Sequence, residues 1–271
     1  MATIAQQAYL AGRAALKQQR ERFTKARAAE HWYAIQLRKI ASQVGTLASI
    51  YDPEDPETLS ILEDALYRYA RVVKPWATNT AIRMIADVAK RDEAAWAEHG
   101  RQIGRALRQE IQTAPTGAVM QSLLNEQVTL ITSIPLEAAA RVHQLALAGI
   151  TEGARGKSIV DMVMATGEVT KSRATLIART ETSRTAATLT QARAQHIGSE
   201  GYIWRSSEDA DVRPGLGIEN FATLNTLAKG SHRKLNGTFQ RWDSPPIAGT
   251  KGERAHAGCI YNCRCYAEVV F

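Results

Sequence analysis

Three cysteines, Cys259, Cys263 and Cys265, stand within seven consecutive positions near the C-terminus, and the chain has no others. Two histidines, His232 and His256, precede them in the same region. Thiolate and imidazole are zinc ligands, and the ion takes four such donors at about 2.0–2.3 Å in a tetrahedron. His232, Cys259, Cys263 and Cys265 are therefore a candidate metal set, with zinc as the candidate ion. Their spacing, three residues and then one, differs from the common Cys-x-x-Cys knuckle. Two other readings stay open. One is a disulfide, for which Cys259 with Cys263 or Cys265 is the feasible pairing; the other is packed free thiols. Cys263 and Cys265, at i and i+2, would need a turn to be joined. Asp211, His232 and His256 also have the side chains for acid–base work on a phosphodiester. That reaction needs a base and a cation at fixed positions, and no compact motif holds them, so no catalytic residue is assigned.

The segment carrying these groups reads as a small module with a short antiparallel sheet. Gly201–Arg205, Phe239–Trp242 and Arg264–Phe271 are strand-like, the last through Tyr266, Val269, Val270 and Phe271. Trp204, Phe239, Trp242 and Tyr266 lie on those strands and are expected to form the module's core. The stretch 206–220, with acids, Pro214 and two glycines, reads as a loop.

Upstream the texture is helical. Residues 3–40 are rich in Ala, Gln, Arg and Lys, with a thin apolar stripe suited to a solvated or partner-docked helix. Asp55-Pro56 supplies a helix start, and Leu59, Leu62, Ala65, Leu66, Tyr69 and Val73 follow at a helical period that Pro75 should end. Further helices are expected at about 78–112, 118–131, 136–149, 158–166 and 170–197. The fold class is thus α+β: a mostly α-helical body over residues 1–154 and a small α+β module over residues 155–271.

Charge is segregated. Residues 1–40 carry eight Lys/Arg against two Asp/Glu, residues 41–170 twelve against sixteen, and residues 171–271 fourteen against nine, giving +6, −4 and +5. Two basic ends flank an acidic middle, a distribution suited to polyanion contact at an end. Arg13, Lys17, Arg20, Arg22, Lys25 and Arg27 are candidates for contact with nucleic-acid phosphates or an acidic partner. The same segment lacks the apolar density of a membrane-surface helix. No run of residues is long and apolar enough to span a bilayer. The sequence Met1-Ala-Thr-Ile-Ala-Gln-Gln does not read as a signal peptide, and synthesis in a reducing cytoplasm is expected.

One ordered set of residues carries a resemblance. Ile177-Ala178-Arg179-Thr180-Glu181 is followed by Trp204, by Asp211-Val212-Arg213, by His232 with Asn236-Gly237, by Pro245-Pro246 and by Cys263-Arg264-Cys265. In order and rough spacing this resembles the phage head morphogenesis family typified by the Mu F protein, over about residues 130–271. Cys259 is an extra thiol relative to that pattern, and the eighteen residues between Arg213 and His232 are a longer spacer. The resemblance implies a structural minor capsid protein of a tailed bacteriophage and no enzymatic activity. It implies portal and major capsid proteins as partners, contact with packaged double-stranded DNA, and a place in the virion head after synthesis in the host cytoplasm. It marks Arg179, Glu181, Trp204, Asp211, Arg213, His232, Gly237, Cys263, Arg264 and Cys265 as the structural motif. A nuclease or toxin-like enzyme in the C-terminal module and a sequence-independent DNA-binding protein are the competing readings.

Overall fold

The computed structural model describes residues 27–49, 57–103, 115–152, 163, 165–206, 232–249 and 251–270. In chain order these form helices α1 (27–48), α2 (Glu57–Val72), α3 (Lys74–Ile103), α4 (Thr116–Glu152) and α5 (Thr166–His196). Strand β1 (Gly201–Arg205), a single helical turn α6 (His232–Leu235), and strands β2 (Phe239–Arg241) and β3 (Tyr266–Val270) follow. The fold is α+β, as expected. Among the described residues no helix is long and apolar enough to cross a membrane.

The chain folds as two compact units. One comprises Met1–Glu30, Asp87–Thr116 and Thr182–Phe271, the other His31–Ala86 and Gly117–Glu181. Each is assembled from separate stretches, so no single cut near residue 155 divides them. The change of texture after Gly198 marks a change of secondary structure. It does not mark a unit boundary, because α1, α3 and α5 each contribute residues to both units.

In the helical unit, Val44 of α1, Leu62 and Leu66 of α2, and Ala138, Ala139 and Val142 of α4 pack into one core with Val163. The apolar period read from Leu59 onward is this buried face of α2. Of two breaks expected from proline, one forms and one does not: α2 ends at Val72, just before Pro75. Pro75 lies in the first turn of α3, where a missing N–H costs nothing. Pro135 lies inside α4, which runs unbroken from Thr116 to Glu152 where two helices were expected. An interior proline costs about 3 kcal/mol. Here Ile131 and Ile134 are fully buried beside it, each side chain contributing about 1.5–3 kcal/mol. Nearby hydroxyls also bond local carbonyls: Thr132 Oγ1 donates to Val128 O at 2.9 Å and Ser133 Oγ to Leu130 O at 2.9 Å.

In the other unit, β1 is the central strand of an antiparallel sheet ordered β2-β1-β3. Tyr202 pairs with Gln240 and Val269, and Trp204 with Ala267. The two-residue period of a strand puts Tyr202 and Trp204 on one face, and both are fully buried. They pack with Trp96 of α3, Ala194 of α5, Trp242, Ala248, Ala257, Cys263 and Cys265. The three expected strands form, β1 over the expected residues and β2 and β3 shorter than their sequence signals; Trp242 sits just past β2, buried in the core. The helix expected over 3–40 is described from residue 27 and extends to 48. Most of the expected 158–166 helix lies outside the described residues.

Candidate metal centre

Two chain segments bring the site together. Just before β3 the backbone makes consecutive tight turns, with Cys259 N–H donating to His256 O and Cys263 N–H to Ile260 O, both at 3.1 Å. Gly258 and Asn262 take positive φ, 84° and 56°, which lets the chain reverse twice and aim Cys263 and Cys265 inward. The second segment is α6. It is held to β1 by backbone bonds: Trp204 N–H donates to Thr238 O at 2.9 Å and Gly237 N–H to Trp204 O at 2.8 Å. Gly237 has φ 79°, so the motif glycine closes this loop in a conformation that other residues adopt with strain.

His232, the first residue of α6, is buried with Cys263 and Cys265; none is more than 5% exposed. Their ligand atoms lie within 4.8 Å of one another. His232 Nδ1 is 3.6 Å from Cys263 Sγ and 3.4 Å from Cys265 Sγ. Nε2 of the same ring lies 3.0 Å from Ala248 O. A carbonyl oxygen only accepts, so Nε2 carries a proton, and Nδ1 is the nitrogen that faces the two sulfurs. The Cys265 N–H donates to Cys263 Sγ at 3.3 Å. Cys263 is held well below the usual thiol range, first by a hydrogen bond from the Cys265 thiol and then by His232, against the opposing effect of burial.

The donor set fits a tetrahedral ion. Zinc–sulfur and zinc–nitrogen bonds of about 2.3 and 2.05 Å at the tetrahedral angle put N and S about 3.6 Å apart, matching the two separations above. The Ala248 carbonyl is the kind of outer partner that fixes a ligating histidine's tautomer and orientation. This His/Cys/Cys cluster can hold a metal ion. Cys259 is half-buried and is not one of its ligand residues. All three cysteines are free of disulfides.

The other expected residues distribute as follows. Trp204 stands edge-on to His232, with ring centroids 5.2 Å apart, and serves as core. His256 is apart from the cluster. Its Nδ1 is 3.2 Å from Tyr202 OH, its ring lies against Trp242 at 5.4 Å, and burial pushes its pKa down. Arg264, between the two ligand cysteines, donates two hydrogen bonds to Glu30 of α1, at 2.8 and 3.2 Å. Glu181 belongs to the helical unit. It accepts from Gln127 Nε2 at 2.6 Å, and Gln127 Oε1 accepts from Tyr33 OH at 2.9 Å, in a buried chain of polar groups. Arg179 is half-buried in that same unit. Asp211, Arg213, Arg13, Lys17, Arg20, Arg22 and Lys25 lie outside the described residues; Arg27 opens α1 and is exposed. Sequence reasoning missed Ala248, whose contribution is a backbone carbonyl without a side-chain signal. It also missed Glu30 and the buried Asp92–Arg193 pair, whose partners are distant in sequence.

No protein-family model matches the chain, and no solved structure matches it. The chain is similar to an uncharacterized protein of Haemophilus influenzae (strain ATCC 51907 / DSM 11121 / KW20 / Rd). The two are 27% identical over 146 residues, covering 54% of this chain and 28% of that protein, so the chain spans under a third of that relative's length.

Proposed function

We propose that this chain is a structural minor head protein of a tailed bacteriophage, working in head assembly where portal and capsid are joined, and that its C-terminal module is clasped by zinc. One observation carries this reading. Trp204, His232, Gly237, Cys263 and Cys265, five of the residues on which the resemblance rests, fall in one small module and build its core, its key loop and its metal cluster. Arg264, a sixth, ties that module to α1 through Glu30. A motif used in this way maintains a shape. Catalysis by the same groups would need a face open to substrate, and His232, Cys263 and Cys265 are each no more than 5% exposed.

In this reading zinc supplies cross-linking energy that a three-stranded sheet with a small core lacks. His232, Cys263 and Cys265 hold the ion, and Ala248 orients the imidazole. The basic stretch Arg13–Arg27 meets an acidic surface or the packaged double-stranded DNA, and portal and major capsid proteins are the partners. The protein is made in the host cytoplasm and ends in the virion head. Mass spectrometry of purified proheads and mature particles tests this: a few copies per particle are expected, and absence from both would refute it.

A further inference from the structure

The helical unit carries a groove of about 460 Å³ between two helical walls, and every residue lining it belongs to that unit. One wall is the last turn of α2 and the first of α3, where Tyr67, Ala70, Arg71 and Lys74 recur at helical spacing. Val73, where the two helices meet, donates to Tyr69 O at 3.0 Å and accepts from Ala77 N–H at 2.8 Å, which keeps those residues on one face. The other wall is α4, through Val128, Thr132 and Leu136 at successive turns, a length of about 12 Å. Tyr67 and Leu136, one on each wall, are 42% and 41% exposed. The volume is about three times the ~150 Å³ that holds a benzene-sized body, so the groove takes more than one apolar side chain.

Its polar lining is one-sided. Arg71 and Lys74 are exposed, and among the described residues neither side chain has an ion-pair or hydrogen-bond partner. The Tyr67 hydroxyl has none either. No carboxylate lines the groove. Glu137, next to Leu136 in sequence, is held by two hydrogen bonds from Arg173, at 2.9 and 3.1 Å. Thr129 and Thr132 donate to carbonyls of α4 itself, Asn125 O at 3.0 Å and Val128 O at 2.9 Å. The surrounding sequence has the same bias: residues 65–86 hold four Lys/Arg and no Asp or Glu, although residues 41–170 as a whole carry −4. That wider negative charge repels a phosphate backbone, and apolar walls give one nothing to contact. A carboxylate-bearing polypeptide meets both the cations and the walls.

We propose that this groove receives an amphipathic helix of a partner polypeptide, with leucine- or phenylalanine-sized side chains between Tyr67 and Leu136 and carboxylates on the flank that faces Arg71 and Lys74. Apolar anchors at successive turns, laid into a groove, are the usual form of helix recognition. Cations with no partner of their own select the charge of the helix that enters. The groove involves neither metal nor the phage-head reading, so its failure leaves both standing.

The test uses the full-length protein and fluorescence anisotropy with lactam-bridged helical peptides about three turns long. One carries Leu at i, i+4 and i+7 with Glu on the adjoining flank. A second has Lys in place of each Glu, a third has Ala in place of each Leu, and a double-stranded DNA oligonucleotide is the fourth probe. The acidic Leu peptide should bind about five- to tenfold tighter than the Lys peptide, the size of two partly exposed ion pairs, and the Ala peptide should not bind measurably. The double variant Arg71→Glu, Lys74→Glu should reverse the preference between Glu and Lys peptides, and Leu136→Asp should weaken both. Lys90→Glu, an exposed position in the other unit, should change nothing. All of these positions are exposed, so each variant should keep a cooperative thermal melt. No binding of the acidic Leu peptide, or undiminished binding in the folded double variant, overturns the groove as a docking site. Equal binding of the Glu and Lys peptides overturns its charge selection. Binding of the DNA that is lost in the double variant assigns the face to a polyanion and overturns the polypeptide partner.

Discussion

The imidazole of His232 donates from Nε2 to the Ala248 carbonyl oxygen at 3.0 Å, so its other nitrogen, Nδ1, is the one that faces Cys265 Sγ, at 3.4 Å. One backbone carbonyl therefore sets which nitrogen a metal would meet. Purified protein is expected to carry about one zinc per chain. His232→Ala, Cys263→Ser and Cys265→Ser should each lose it, whereas Cys259→Ser should keep it. Elemental analysis reads the stoichiometry, and cobalt substitution reads thiolate ligation through its charge-transfer absorption. Retention of stoichiometric zinc in a Cys263→Ser, Cys265→Ser double variant would falsify the assignment.

Metal binding is also folding energy when the site exists only in the folded state. A strong chelator should lower the melting temperature of the wild type and leave that of His232→Ala unchanged. Equal shifts in both proteins would place the metal elsewhere.

Gly258 and Gly237 separate backbone strain from crowding. Both have positive φ, 84° and 79°. A Cβ at Gly258 would lie 2.9 Å from Cys265 O and 3.1 Å from Ala187 Cβ, whereas nothing lies within 4 Å of one at Gly237. Gly237→Ala should cost about 1–2 kcal/mol from the left-handed conformation alone. Gly258→Ala should cost more, because strain of about 1–3 kcal/mol is joined by a clash with backbone. Denaturant midpoints measure both, and equal losses would mean that the Ala187 contact gives way freely.

The Asp92–Arg193 pair is buried, with side chains 7% and 8% exposed, whereas Glu137–Arg173 is roughly 40% exposed on average. Asp92→Ala strands a buried guanidinium and should cost about 3–5 kcal/mol. Glu137→Ala should cost about 0–1 kcal/mol. Comparable losses in urea unfolding would contradict this ranking of the two pairs.

His256 gives a pH dependence with a definite sign. Burial beside Tyr202 and Trp242 lowers its pKa from the ordinary value of 6.5. The unfolded chain therefore takes up a proton before the folded one does. The stabilising contribution is fully present above about pH 6.5 and is lost as pH falls toward and through the folded value. Replacing His256 with Gln should flatten the fall in melting temperature below pH 6.5; an unchanged slope would assign the proton uptake to another group.

Much of the fold was legible because helix and strand signals are local. The period through Leu62 and Leu66 predicts α2, and the alternation through Tyr202 and Trp204 predicts β1 and its buried face. Local signals failed at Pro135, where burial of Ile131 and Ile134 outweighs the missing backbone bond, and at α6, whose single turn is too short for any period. A long helix such as α5 reads as one object in sequence, yet it serves one unit up to Glu181 and the other from Thr182.

What the sequence by itself determined is the inventory: an α+β chain with basic ends, three clustered thiols and an ordered set of motif residues. Which of those thiols act together was a tertiary decision. Cys259 is as near to Cys263 along the chain as any ligand pairing requires, yet the turns at Gly258 and Asn262 aim Cys263 and Cys265 at His232 and leave Cys259 out of the cluster. A histidine 31 residues before Cys263 and a carbonyl at Ala248 join them because packing of Trp204 and Trp242 fixes those segments in space. Sequence spacing carries no record of that, because distance along a chain ceases to measure distance once it folds around a core.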